Sequence, residues 1–145
     1  MLVNLKEILA LASARRCAVG AFNTPNLECV TAVLRAAERR NVPVILSHAE
    51  IHEPVAPLEI IGPVMLLFAQ RAGVPVCVHL DHCESLDYME KALRLGFTGV
   101  MYDGSALPYP QNAANTRAAV ALAHAHGCLL YTSRGWTSAR SATGG

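Results

Sequence analysis

The sequence is short of charge. Asp, Glu, Lys and Arg make up 16% of its 145 residues, against roughly 25% in an average globular protein. Twelve Lys and Arg against eleven Asp and Glu leave a net charge of +1 with no basic stripe, so the electrostatic footprint of a nucleic-acid binder is missing. Long hydrophobic runs are missing too. The longest apolar stretches, such as Pro63–Ala69 and Val74–Val78, fall far short of the ~20 residues a membrane helix needs. Lys6 and Glu7 stand together and Arg15-Arg16 follow a short apolar run, the wrong order for a secretory signal. Neither a GxGxxG fingerprint nor a P-loop occurs, which weakens a nucleotide-binding reading. Five cysteines form an odd set without CxxC or paired spacing. That argues against a disulfide framework or a zinc–thiolate knuckle and for reduced, packed thiols in the cytoplasm.

What the chain has in quantity is apolar surface: 52% of residues, with a mean hydropathy of +0.30. This composition excludes intrinsic disorder, and the length suits one compact domain. The surplus implies either strands buried on both faces or a core made for more chain than is present. Asn4 to Glu7 reads as a capping box that opens a short amphipathic helix, with Leu5, Ile8, Leu9 and Ala12 on one face to about Ala14. Ala18–Asn23 is a short apolar run. Thr24-Pro25 then starts a second helix with a buried stripe of Leu27, Val30, Val33, Leu34 and Ala37, closed by Arg39-Arg40-Asn41.

One phrase occurs twice: Asn41 to His48 is matched by Gly73 to Leu80. Both runs are apolar throughout rather than alternating, as parallel strands covered by helices are. Helices are expected over Leu58–Ala72, Glu84–Leu95 (stopping at Gly96) and Gln111–Ala125, with a strand at Val100–Tyr102 and a candidate fifth at Cys128–Tyr131. Strand–helix alternation of this kind means a parallel sheet with right-handed crossovers, either doubly wound or a (β/α)8 barrel.

Asn23, Ser47, Asp81-His82 and Asp103 fall at the C-terminal ends of successive predicted strands. That is the ligand face of parallel α/β folds. Period-two alternation sends His79 and Asp81 to one side of their strand, and Leu80 and His82 to the other until it ends. A histidine beside a carboxylate suits metal ligation with a neighbouring proton-transfer group; a helix cap by Asp81 or Ser85 accounts for the same residues. Pro54 and Pro57 make His48-x-x-x-His52 a loop rather than a zinc helix. His124 and His126 suit the last turn of a helix. Cys83 reads as a packed thiol, and Gly104-Ser105 as either a turn or a phosphate contact.

Ala21-Phe22-Asn23, Val44 to Glu50, Val76 to His82 and Val100 to Ser105 occur in order at suitable intervals. Together they resemble the N-terminal half of class II ketose-bisphosphate aldolases, the fructose- and tagatose-bisphosphate aldolase family, from about Leu2 to Gly127. The resemblance implies the first half of a (β/α)8 barrel, Zn2+ as cofactor, a sugar bisphosphate substrate, a cytoplasmic homo-oligomer, and reversible aldol cleavage to dihydroxyacetone phosphate and glyceraldehyde 3-phosphate. It further implies that His82 is a metal ligand and that Asp81 is the acid exchanging a proton with the C4 hydroxyl. Asn23 and Ser47 would touch substrate. Asp103 would stand behind the metal or at an alternative metal position, and His79 would support the strand end. No Schiff-base lysine is needed, and the only lysines, Lys6 and Lys91, fall on predicted helices.

The resemblance stops short. The family's next strand reads roughly Val-Glu-Ala-Glu-Leu-Gly, followed by two more histidine ligands and glycine-rich phosphate loops. Here Gly127 is followed by Cys128–Ser133, similar to the in-frame translation of a transposon adapter used in sequencing libraries. Residues 128–145 are therefore expected to be a non-family tail, artefactual or disordered, with a divergent natural tail as the alternative. With His82 alone a three-histidine site does not close. A barrel takes roughly 250 residues, so this chain is expected to be about half of one. Its activity alone is then expected to be absent; the alternative is a non-catalytic half-barrel that binds sugar phosphate or joins a partner.

Overall fold

The structure is a computed structural model that describes residues 1–132. Five strands, β1 (Ala21–Asn23), β2 (Val44–Ala49), β3 (Val76–Cys83), β4 (Gly99–Tyr102) and β5 (Leu129–Thr132), form one sheet in sequential order. Every pairing is parallel. Between them run helices α2 (Leu27–Arg40), α3 (Leu58–Arg71), α4 (Leu86–Leu95) and α5 (Tyr109–Ala125), with α1 (Leu5–Arg15) ahead of the first strand. The expected α/β alternation of a partial (β/α) barrel is what the chain adopts.

The uniformly apolar strands are uniformly buried. All of β2 and β4 and the first five residues of β3 are covered, because helices lie against one face and α1 with its flanking residues packs on the second. On the helix side, Leu46, Val78, Leu80 and Val100 pack with Val30, Met65, Ala69, Met89 and Leu93. On the other side, Ile45 and Cys77 pack with Leu5 and Ile8 of α1. That helix begins with the expected capping box, Asn4 and Glu7 exchanging side-chain-to-backbone hydrogen bonds. It is pinned to the sheet by the Leu5 N–H to the Thr98 carbonyl, while Val3 N–H bonds the Val76 carbonyl. So α1 fills the floor beneath the inner face, at the end of the sheet where the strands begin.

Several boundaries differ from the sequence reading for local reasons. Helix α2 is capped by Asn26, whose side chain accepts the Cys29 N–H. Thr24 instead bonds back to the Ser47 carbonyl through its N–H. Leu27, expected in the buried stripe, is the first residue of α2 and is 47% exposed. Helix α4 starts after Ser85, whose hydroxyl accepts the Tyr88 N–H, so Glu84 belongs to the preceding turn. The candidate fifth strand is present, pairing from Gly99↔Leu129 to Tyr102↔Thr132. The rest of the expected tail, residues 133–145, lies outside the described residues.

Candidate active site

Register places the singled-out residues. Asn23 pairs with Ser47, Ser47 with His79, and His79 with Gly99, so one row crosses four strands on the face above Ile45 and Cys77. Two residues further along, Ala49 pairs with Asp81. Asn23 is exposed, whereas Ser47 and His79 are buried. The Ser47 hydroxyl and His79 Nδ1 have no hydrogen-bond partner among the described residues. Gly99 makes room for His79: a Cβ there would lie 2.8 Å from Nδ1.

The end of β3 is irregular. Leu80 pairs with Val100 but Cys83 pairs with Tyr102, so Asp81 and His82 together oppose a single residue, Met101. Such a bulge bends the strand and re-aims its side chains. His82 has φ 45°, one of three described non-glycine residues in the left-handed region, where few L residues sit without a local reason. Its imidazole consequently meets the next strand end: Nδ1 lies 2.7 Å from Asp103 Oδ2. Asp103 is anchored in turn. Its N–H donates to the Cys83 carbonyl at 2.8 Å, and its Oδ1 accepts the Ser105 N–H at 3.0 Å. The Gly104-Ser105 segment thus builds an aspartate–serine turn.

The protonation states follow from these contacts. The Asp103 hydrogen bond raises the His82 imidazole above its ordinary value, outweighing partial burial, and Asp81 adds to the rise. Burial pushes Asp103 up, but hydrogen bonds from His82 and Ser105 hold it below the ordinary carboxylate range. His79 is lowered by burial, which the nearby Asp81 carboxylate, 3.9 Å from Nε2, only partly offsets. The result is a neutral histidine behind Asp81 and a readily charged one beside it.

Asp81, His82 and Asp103 are thus brought together, with His79 backing Asp81. Asn23 and Ser47 line the same face. Among the described residues, no group of three or more His, Cys, Asp or Glu side chains is arranged to hold a metal. His48 and His52 face each other edge-on on the helix side of the sheet, with ring centroids 6.0 Å apart. His48 is buried, and its Nε2 lies 2.9 Å from the Tyr88 hydroxyl, which itself donates to Glu53 Oε2 at 2.6 Å. His48 Nε2 is therefore the donor. The sequence reading missed Glu50, Glu53 and Tyr88, because their partners lie 34 to 40 residues away. Acidic residues flanking a histidine after a buried strand were the available signal.

The family model for class II fructose-bisphosphate aldolase matches residues 3–135. This chain belongs to the class II fructose-bisphosphate aldolase family. It is 45% identical over 130 residues to a fructose-bisphosphate aldolase of Thermus caldophilus, covering 90% of this chain and 42% of that protein. A 6-phospho-5-dehydro-2-deoxy-D-gluconate aldolase of Halalkalibacterium halodurans is 39% identical, over 84% of this chain and 43% of its own length. Among solved structures, the YdjI aldolase of Escherichia coli K12 superposes with a TM-score of 0.86 at 30% identity, over 91% of this chain and 52% of that one. The chain spans less than half the length of these two relatives and about half of that structure, so its five strands match part of an aldolase barrel. The family match runs past Gly127, through β5. Among the described residues no helix is long and apolar enough to cross a membrane.

Proposed function

We propose that this chain supplies the N-terminal half of a zinc-dependent aldolase site that reversibly cleaves a ketose 1,6-bisphosphate to dihydroxyacetone phosphate and glyceraldehyde 3-phosphate. One observation carries the reading: His82 donates Nδ1–H to Asp103 while its side chain stays 60% exposed, leaving the Nε2 lone pair free at the strand ends. A carboxylate fixing the far nitrogen is how metal-bound histidines are oriented. The donor chemistry therefore fits Zn2+ at one ligand, and the remaining ligands must come from outside the described residues. When bound, zinc would polarise the substrate carbonyl.

The chain's own residues do the rest. Asp81 sits on the bulge beside His82 and exchanges the proton of the C4 hydroxyl as the C3–C4 bond breaks or forms. His79, buried and neutral, braces that carboxylate from below. Ser47 and Asn23, one register row deeper, are the substrate-side contacts, and the partnerless Ser47 hydroxyl is free to accept or donate. Asp103 orients His82 and is the residue that would serve an alternative metal position. The thiols are consistent with a reducing cytoplasm: burial raises Cys77 to about 12 and Cys128 to about 11, leaving both unreactive.

An incomplete ligand set also favours a second reading, a non-catalytic half-barrel that binds sugar phosphate or pairs with another chain. A coupled assay of fructose and tagatose 1,6-bisphosphate cleavage with added Zn2+ separates the two. Turnover is expected only when the rest of the barrel is supplied. Turnover by this chain alone would overturn the reading of it as half a site.

A further inference from the structure

We propose that Glu50 is a positioning residue for the turn that carries His82; the assignment rests on reading His82 as a metal ligand. Glu50 opens the short 3-10 turn Glu50–His52 after β2. From there its Oε2 accepts two consecutive backbone N–H groups across the sheet, Glu84 at 2.8 Å and Ser85 at 3.1 Å. A helix cap does not explain this contact. Helix α4 already has its cap in the Ser85 hydroxyl, and the two N–H groups lie before its first turn. What the carboxylate holds is the segment directly after His82 and Cys83.

That segment needs holding. The His82 ring is largely exposed, so packing does not set its direction; the backbone conformation and the Asp103 hydrogen bond do. Its φ of 45° lies in the left-handed region, which a few per cent of non-glycine residues adopt, histidine more often than most. The chain is tied just before it by the Leu80↔Val100 pairing. After it come the Asp103 N–H to Cys83 carbonyl bond and the Cys83 thiol to Ser85 carbonyl contact. Asp103 reaches the His82 ring from the end of β4, whereas Glu50 reaches the backbone of this turn from the end of β2 and fixes the two residues where the turn would otherwise unwind. Released, His82 relaxes toward negative φ and its imidazole leaves Asp103.

The test uses the 145-residue chain and imidazole 15N spectra, recorded above the His82 titration and during a Zn2+ titration. The wild type should show His82 as the Nδ1–H tautomer, with ring signals that shift on adding Zn2+. Glu50→Gln should keep both, because its amide oxygen still accepts the two N–H groups. Glu50→Ala and Glu50→Asp, the latter too short to reach both, should lose the Nδ1–H preference and weaken Zn2+ binding roughly 10-fold or more. A folded Glu50→Ala or Glu50→Asp protein with the wild-type tautomer would overturn the proposal; should the alanine variant not fold, the aspartate variant decides. If the wild-type ring holds Nδ1–H yet ignores Zn2+, the ligand reading fails, while the tautomer comparison still decides the role of Glu50.

Discussion

His82 and Asp103 sit 21 residues apart in sequence, on different strand ends, yet their side chains meet at 2.7 Å. The contact forms because a bulge and a left-handed residue turn the imidazole out of the β3 alternation and toward β4. Protonated His82 and ionised Asp103 favour each other. The histidine is raised, so its share of the pairing is complete below about pH 6.5 and fades as pH rises through the raised value. The aspartate is lowered, so its share is complete above about pH 4 and fades as pH falls through the lowered value. Asp103→Asn should therefore drop the His82 midpoint toward that of an ordinary histidine, read directly by NMR titration. An unchanged midpoint would mean the pair does not form.

Tyr88 joins two groups that cannot easily lose it. It accepts from His48 Nε2 and donates to Glu53, and both Tyr88 and His48 are buried. Tyr88→Phe leaves a buried N–H without an acceptor, so stability should fall by about 1–3 kcal/mol. Urea unfolding measures this. A loss below about 0.5 kcal/mol, the range of ordinary surface changes, would contradict the buried relay.

His48 also sets an acid limit. Burial lowers it, His52 adds to the effect, and Glu53 opposes both. Below about pH 6.5 the unfolded chain gains a proton that the folded chain resists, so stability falls with falling pH. His79, also lowered by burial, acts in the same direction. His48→Gln keeps a donor for Tyr88 and should flatten part of the decline in urea midpoint between about pH 7 and about pH 5. An equally steep decline in the variant would assign the acid sensitivity elsewhere.

Much of this was legible in the sequence, and for a definite reason. The apolar runs at Val44 and Val76, the Asn4–Glu7 box and Gly96 are local signals, and each leads to the element it predicts. The strand-end rule likewise anticipated that Asn23, Ser47, Asp81, His82 and Asp103 lie toward one end of the sheet, since a parallel sheet brings such ends to one side. Alternation also placed His79 beside Asp81. The bulge was not legible, because it depends on the register between β3 and β4. Nor were Glu50 and Tyr88, whose partners are distant in the chain. Asn26 displaced Thr24 as the α2 cap because Thr24 is tied to the Ser47 carbonyl.

Gly99 is a packing requirement of the site row. An added Cβ would stand 2.8 Å from His79 Nδ1, 3.1 Å from Cys77 Sγ and 3.2 Å from Leu5 Cβ. Gly99→Ala should cost about 1–3 kcal/mol by overpacking, measured by urea unfolding, and should shift the His79 ring signals more than those of His124. A neutral variant would show that the row adapts freely.

The most direct test joins residues 1–132 of this chain to the remaining portion of the Thermus caldophilus aldolase and assays ketose 1,6-bisphosphate cleavage. The chimera should show turnover that a chelator removes and Zn2+ restores, and that Asp81→Asn or His82→Ala lowers by at least about 100-fold, the scale of a lost general acid or base. A folded chimera that cleaves neither the fructose nor the tagatose substrate, or whose turnover survives both substitutions, would contradict it.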